Sequence, residues 1–155
     1  MNRIQLISRS PAETRELAAR LGAGLKPGDV VALRGELGAG KTEFVRGLAA
    51  GLGVPEDAVA SPSFALAYEY QGRFTLVHLD LYRLAGITPE FLPDVEDYLT
   101  GPQVVAVEWA ERLGTLLPPE HLDVVLVITG EEERRLTLTG HGQRWAEFLE
   151  AVAKA

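Results

Sequence analysis

The pattern of apolar and polar positions predicts a chain that opens with a strand, a helix and a second strand. Residues 4–8 and the apolar run "VVALR" at 30–34 have the length and composition of short β-strands, the second of them buried. Between them, Ser10 is a predicted helix N-cap and Pro11 stands at the first helical position. Leucines then recur every four residues until "KPGD" at 26–29 ends the helix.

The rest of the chain alternates between the same two kinds of pattern. After a glycine-rich segment, apolar residues recur at helical spacing up to "GVP" at 53–55. The runs "ALAYEY" and "RFTLVHL" alternate around "QG", as in a β-hairpin, and a helical or irregular stretch spans 88–100. "QVVAVEW" predicts another buried strand, "DVVLVIT" and "RRLTLT" flank a charged turn, and 143–154 predict an amphipathic final helix. A mixed sheet flanked by helices follows from this order.

The composition of the chain excludes several classes of protein. The length of 155 residues suits one domain, and with no cysteine the chain has neither a disulfide framework nor a thiolate metal site. The opening residues lack the basic flank and long apolar core of a secretory signal, and no apolar run approaches the roughly 20 residues of a membrane span. The net charge of -7 and the lack of a basic run argue against tight, unaided binding to RNA or DNA. We expect a cytoplasmic protein with no membrane segment.

The segment "GELGAGKT" at 35–42 matches the phosphate-binding P-loop pattern without a mismatch. It lies between a predicted buried strand and an amphipathic helix, which is the setting that the motif requires. Its glycines let backbone N–H groups turn toward phosphate oxygens, and the following helix directs its positive end to the same place. Lys41 would reach the β- and γ-phosphates, and the Thr42 hydroxyl would be offered to Mg²⁺. We therefore predict an α/β P-loop NTPase domain over residues 1–155, with a mostly parallel mixed sheet and antiparallel hairpins.

Two strands end in carboxylates that could complete the site. "FTLVHLD" ends in Asp80 and "VVAVE" ends in Glu108. From the residues alone, either could hold Mg²⁺ or orient the attacking water, and either could be an ordinary solvated acid at the end of a strand. In the predicted loop "SPSF", Ser63 could sense the γ-phosphate or could simply start a turn. His78, two residues before Asp80, is interpreted as a packed histidine.

The motifs "GELGAGKTEFVRGLAAGLG", "SPSF", "HLDLYRL" and "VEWAERL", in this order, closely resemble the TsaE (YjeE) family. These are bacterial P-loop ATPases of tRNA threonylcarbamoyladenosine biosynthesis. The resemblance implies that Glu108 is a Mg²⁺ ligand, that Asp80 is essential to ATP hydrolysis, and that Ser63 stands where the family usually has threonine. It also implies nucleotide contacts by Leu37, Gly38, Ala39, Gly40, Lys41, Thr42, Trp109, Glu111 and Arg134, the last of them near the base. Considered without the resemblance, Trp109 could equally be a packing residue.

The chain departs from the family pattern at two positions. The family commonly reads G-D-L-G-A-G-K-T-T, whereas this chain has Glu36 and Glu43. Glu43 is favourable toward the dipole of its helix but repulsive toward a triphosphate. We therefore expect its side chain to face solvent or to pair with an arginine.

The resemblance also implies a place in an assembly. The family's ATPase joins two partner proteins, TsaB and TsaD, and its hydrolysis of ATP supports their transfer cycle, so contact with tRNA would fall mainly to the partners. A small-molecule kinase is the alternative, but no arginine-rich lid is evident in the sequence. A nucleotide-dependent binding module with negligible turnover would keep the same motifs. A regulatory GTPase is disfavoured, because no N-K-x-D or T-K-x-D motif occurs.

Overall fold

A computed structural model describes residues 2–56, 58 and 67–154 and the backbone of residues 61–64. The strands are β1 (Arg3–Ser8), β2 (Val30–Arg34), β3 (Ser61–Phe64), β4 (Ala67–Gln71), β5 (Thr75–Asp80), β6 (Val104–Glu108), β7 (His121–Ile128) and β8 (Arg134–His141). The helices are α1 (Pro11–Gly22), α2 (Lys41–Gly51), α3 (Leu92–Thr100) and α4 (Gln143–Lys154), with a 3₁₀ segment at Ala110–Leu116. None of the helices in the described ranges is long and apolar enough to cross a membrane.

The strands form one mixed sheet in the order β1-β8-β7-β2-β6-β5-β4-β3. Its centre is parallel, because β2 pairs in parallel with both β6 and β7, and β5 pairs in parallel with β6. Antiparallel pairs extend it on both sides, with β8 and β1 beyond β7, and β4 and β3 beyond β5. Only β4 and β8 therefore run against the common direction of the described strands. This arrangement confirms the predicted mixed, mostly parallel sheet with antiparallel hairpins.

Helices cover both faces of the sheet. Alternate side chains of β2 point to opposite faces, so that Val31 and Leu33 join one apolar cluster while Val30 and Ala32 join the other. The first cluster contains apolar residues of α1, α2 and α4, and the second contains those of α3 and the 3₁₀ segment. The parallel centre of the sheet is thus buried on both sides, as its unbroken apolar runs require.

Helix α1 begins where the sequence predicts, because the Ser10 hydroxyl accepts a hydrogen bond from the Glu13 N–H at 3.1 Å. The helix packs closely against α2. Gly47 makes this contact possible, since a Cβ at that position would overlap the carbonyl oxygen of Arg15. The close approach fixes the position of α2, and hence of its N-terminus, over the sheet.

The prediction that "SPSF" is a loop is wrong for its backbone. Residues 61–64 form β3, which pairs antiparallel with β4 at the edge of the sheet, with an irregularity between Pro62 and Phe64. Proline is compatible with an edge strand, where its missing N–H costs no hydrogen bond in the ladder. The Ser63 side chain lies outside the described residues.

Candidate nucleotide site

The P-loop connects the end of β2 to the start of α2 at the carboxyl edge of the parallel strands. Gly38 and Gly40 have φ angles of 85° and 104°, in the left-handed region that favours glycine. Gly40 is also the N-cap of α2, and no side chain caps the helix there. The first-turn N–H groups of α2 therefore point toward the loop, which is the arrangement that binds anions at a helix N-terminus.

Lys41, the first residue of α2, is 5% exposed. Its Nζ donates to the carbonyl oxygens of Gly35 and, at 3.0 Å, of Glu36, so the ammonium lies folded back inside the loop. Nζ also lies 4.2 Å from the centroid of the Trp109 ring, a cation–π contact. Burial lowers the pKa of Lys41, while the charges of Glu108, Glu111 and Asp80 oppose that shift. The one buried lysine among the described residues thus lies within the field of three carboxylates.

Glu108, at the end of β6, is 4% exposed and accepts two hydrogen bonds on one oxygen. Its Oε2 lies 3.0 Å from the Thr42 hydroxyl and 2.6 Å from Nε2 of His78. Burial alone would raise the pKa of Glu108, but the His78 and Thr42 hydrogen bonds and the Lys41 charge outweigh it and hold the pKa below its ordinary value. The carboxylate is consequently ionised at neutral pH, with a hydroxyl beside it.

Asp80 ends β5 directly beside Glu108, its register partner on β6. Its Oδ1 accepts the Tyr82 N–H at 3.1 Å, which orients the half-buried carboxylate. The two strand-end acids that the sequence singled out are therefore neighbours, close to the N-terminus of α2. This juxtaposition follows from parallel pairing, which brings the carboxyl ends of β2, β5 and β6 to one edge of the sheet.

Trp109 follows Glu108 and occupies the left-handed region, with a φ of 59°. A bulky side chain rarely adopts this conformation, and such backbone strain concentrates at functional sites. The indole faces Lys41 and also contacts Tyr82, at 5.2 Å between ring centroids, and Arg112, whose Cζ lies 5.1 Å from the ring centroid. Trp109 thus borders the candidate site. Exposed Glu111 follows it in the 3₁₀ segment.

Arg134, at the start of β8, connects the P-loop to the turn between β7 and β8. Its Nε donates to the Ala39 carbonyl and its Nη2 to the Gly38 carbonyl, both at 3.2 Å. Its Nη1 donates to the carbonyls of Glu133 at 2.8 Å and Gly130 at 3.1 Å. The guanidinium therefore holds the outer side of the loop. Leu37, at the tip of the loop, is 69% exposed.

Glu43 was expected to face solvent or to pair with an arginine, and the structure shows the second of these arrangements. Its carboxylate accepts hydrogen bonds from Arg15 of α1 and, at 2.6 Å, from Arg46 of α2. These contacts offset the extra negative charge in the first turn of α2. They also join the start of α2 to α1.

The sequence analysis did not predict the contacts of two residues at this edge of the sheet, His78 and Arg112. His78 was interpreted as packing, yet its ring nitrogen reaches Glu108; its position two residues before Asp80, on the same strand face, was the available signal. Arg112 donates to the carbonyls of Leu81, Tyr82 and Leu84 and so fixes the chain after β5. No sequence pattern singled out this arginine.

Comparisons with known proteins identify the family. The family described as "Threonylcarbamoyl adenosine biosynthesis protein TsaE" matches residues 8–136. The TsaE proteins of Bacillus subtilis and Streptomyces coelicolor, both named for tRNA threonylcarbamoyladenosine biosynthesis, are 38% and 43% identical to the chain over 146 and 140 residues. These alignments cover 94% and 85% of this chain and 90% and 93% of the relatives. The crystal structure of YdiB from Bacillus subtilis has a TM-score of 0.81 and 35% identity, and the match covers 98% of this chain and 95% of that one. The chain belongs to the TsaE family of tRNA threonylcarbamoyladenosine biosynthesis proteins.

Proposed function

We propose that this chain is the ATP-binding and ATP-hydrolysing component of the complex that makes threonylcarbamoyladenosine next to the tRNA anticodon. The observation that carries the proposal is the hydrogen bond of 3.0 Å between Thr42 of the P-loop helix and Glu108 of β6. It joins a phosphate-binding loop to an ionised strand-end carboxylate, which is the combination that P-loop nucleotide hydrolysis needs. Because β1 and β8 share one sheet, we also propose that residues 1–155 are a single domain.

The donor set of this site fits Mg²⁺. Thr42 offers a hydroxyl and Glu108 a carboxylate, both hard oxygen donors of the kind that Mg²⁺ prefers. A hydroxyl has one proton and two lone pairs, so Thr42 can donate to Glu108 and still offer its oxygen to a cation. When bound with ATP, Mg²⁺ would neutralise charge on the phosphates.

The phosphates of ATP would bind at the N-terminus of α2. Backbone N–H groups from the loop residues Leu37, Gly38, Ala39 and Gly40 and from Lys41 and Thr42 would contact the phosphate oxygens. The Lys41 ammonium would exchange its contacts with the Gly35 and Glu36 carbonyls for contacts with phosphate. Trp109 and Glu111 would border the nucleotide, and Arg134 would act at the loop that carries the phosphate contacts.

Asp80 would orient the attacking water. Its carboxylate is fixed by the Tyr82 N–H and lies beside Glu108 on the neighbouring strand. We propose Ser63 as the hydroxyl that senses the γ-phosphate, by its position in the sequence. Alignment of that hydroxyl with the water would be the step that TsaB and TsaD control, which would make the isolated protein a slow ATPase. With a net charge of -7, the chain would leave contact with tRNA mainly to those partners.

The test is ATP hydrolysis by the purified protein with and without TsaB and TsaD. We expect a rise of at least roughly tenfold on adding the partners, equivalent to about 1.4 kcal/mol of barrier. Asp80→Ala should abolish that turnover while retaining ATP binding, whereas Glu108→Ala and Thr42→Ala should weaken the Mg²⁺ dependence of binding. Asp97→Ala, on an exposed face of α3, is the matched control.

A further variant tests the proposed role of Ser63 in sensing the γ-phosphate. Ser63→Ala should reduce the stimulation by the partners and leave ADP affinity intact, because ADP lacks the γ-phosphate. Full hydrolysis by the protein alone, unchanged by the partners, would refute the proposed role. Rapid transfer of the phosphoryl group to a metabolite would instead identify a kinase.

A further inference from the structure

His78, which is buried against the proposed metal ligand Glu108, has no part in the roles proposed above. In the parallel register of β5 and β6, His78 lies opposite Ala106, two residues before Glu108. Residues two apart on a strand share a face, so the two side chains are diagonal neighbours on the face that α2 covers. They are 7% and 4% exposed, and Nε2 of His78 lies 2.6 Å from Oε2 of Glu108.

The oxygen that contacts His78 is also the one that accepts the Thr42 hydroxyl. The carboxylate is therefore held from two directions, by a strand on one side and by the P-loop helix on the other. Two donors on one oxygen restrict rotation of the carboxylate group about its terminal bond. Because the imidazole is buried, solvent does not compete for its hydrogen bond.

We infer that His78 is a positioning residue that holds the Glu108 carboxylate in the orientation needed to bind Mg²⁺. The inference rests on the proposed function, because it assigns a partner to a proposed metal ligand. Mg²⁺ demands near-ideal octahedral geometry, so a misoriented carboxylate lowers the affinity of the site for Mg²⁺. Because Mg²⁺ prefers oxygen ligands, the imidazole would act through Glu108 rather than bind the ion itself. Loss of such an outer partner typically costs 10- to 100-fold in metal affinity.

If His78 served only for packing, its replacement would have a different effect on the metal. The ring of His78 also faces Tyr68, its cross-strand neighbour on β4, with 6.3 Å between ring centroids. If the imidazole only filled space, leucine would replace it without any specific effect on the metal. If His78 orients Glu108, leucine should weaken the tightening of ATP binding by Mg²⁺. Glutamine at the same position should keep most of that tightening, because its amide N–H can donate to Glu108.

The experiment is calorimetric titration with a non-hydrolysable ATP analogue, in Mg²⁺ and in EDTA. The measured quantity is the factor by which Mg²⁺ tightens binding, compared among wild type, His78→Leu, His78→Gln and the neighbouring control Tyr68→Phe. We expect His78→Leu to lower this factor by about tenfold or more while leaving affinity in EDTA unchanged. His78→Gln and Tyr68→Phe should stay close to wild type.

Other results of this titration would overturn either the inference or the proposed site. A wild-type Mg²⁺ factor in His78→Leu would overturn the inference, as would an equal loss of affinity with and without Mg²⁺. A wild-type protein that binds no analogue would refute the proposed nucleotide site itself, and the inference with it. Wild-type binding that Mg²⁺ does not tighten would overturn the metal assignment and the inference that depends on it, and would leave the nucleotide site standing.

A second measurement applies if His78→Leu does not fold. The chain has 3 histidines, so long-range ¹H–¹⁵N spectra of the wild-type protein can be assigned with single variants. We expect a slowly exchanging proton on Nε2 of His78, and faster exchange of it in Glu108→Ala. A proton found only on Nδ1 would overturn the inference.

Discussion

Replacing Lys41 by methionine tests the account of the P-loop most directly. The substitution keeps the apolar stem and removes the ammonium, whose present partners are the Gly35 and Glu36 carbonyls and the face of Trp109. In the nucleotide complex the same ammonium would contact phosphate. A hydrogen bond to a charged group contributes about 1.5–3 kcal/mol, which corresponds to a loss of roughly tenfold to over a hundredfold in ATP affinity.

The same substitution should not destabilise the protein without nucleotide. Burial holds the pKa of Lys41 below its ordinary value of 10.5, so the charged form is less favourable in the folded chain than in the unfolded one. The unfolded chain therefore binds more protons at pH values between the folded pKa and 10.5, and stability rises with pH across that interval. Gly35 is half-buried and Glu36 is exposed, so we expect water to take the place of the ammonium at their carbonyls.

We therefore expect Lys41→Met to melt at the wild-type temperature or higher at pH 7, with a difference that shrinks as the pH approaches 10.5. Thermal denaturation without nucleotide and calorimetric titration with ATP and Mg²⁺ measure the two effects separately. Lys26→Met, on an exposed lysine, is the matched control. ATP binding by Lys41→Met as tight as in wild type would contradict the proposed phosphate contact. A melting temperature several degrees lower would contradict the expected stability, since about 1 kcal/mol shifts the melting temperature of a domain of this size by roughly 2–4 °C.

Three further predictions concern residues around the site and in the core. Arg134→Gln should speed amide hydrogen exchange in the P-loop by roughly tenfold or more, through loss of charge-assisted bonds worth at least about 1.5 kcal/mol, whereas exposed Arg135→Gln should not. Gly47→Ala should cost about 1–3 kcal/mol of unfolding free energy by forcing α1 and α2 apart, and Gly86→Ala, which meets no neighbour, should cost far less. Burial and a neighbouring imidazole lower the pKa of His121 below 6.5, so the free energy of unfolding of the wild-type protein should fall as the pH drops below that value. Urea denaturation at several pH values should show a smaller fall for His121→Asn.

Local patterns in the sequence were sufficient to predict the P-loop, the N-cap at Ser10 and the two acids at strand ends. Each depends on a few consecutive residues and on the period of one element. Parallel pairing then brings Asp80 and Glu108 together, because both terminate buried strands on the same edge. The expectation that Glu43 faces solvent or pairs with an arginine rested on its repulsion toward a triphosphate, and the structure shows the arginine partners.

Contacts between distant segments could not be predicted in the same way. The hydrogen bond from His78 to Glu108 depends on the register of β5 against β6, and a shift of one residue would turn the imidazole to the opposite face. Arg134 reaches the P-loop only because β7 lies beside β2, an order of strands that no local pattern contains. Residues 61–64 were predicted as a loop from their turn-forming composition, but pairing with β4 makes them a strand.

The position of β2 between β6 and β7 also bears on how the chain folds. Thr42 and Glu108 are 66 residues apart, and Arg134 and Ala39 are 95 apart, so the site forms only after long loops have closed. Such non-local pairing is slow to form, because the entropy of loop closure is lost before the contacts are gained. A partly folded chain therefore cannot bind ATP at the proposed site, and ATP would stabilise only the finished fold. If ATP binds at the proposed site, a concentration a hundred times its dissociation constant would add about 2.7 kcal/mol to the free energy of unfolding, so nucleotide would draw partly folded chains toward the finished fold.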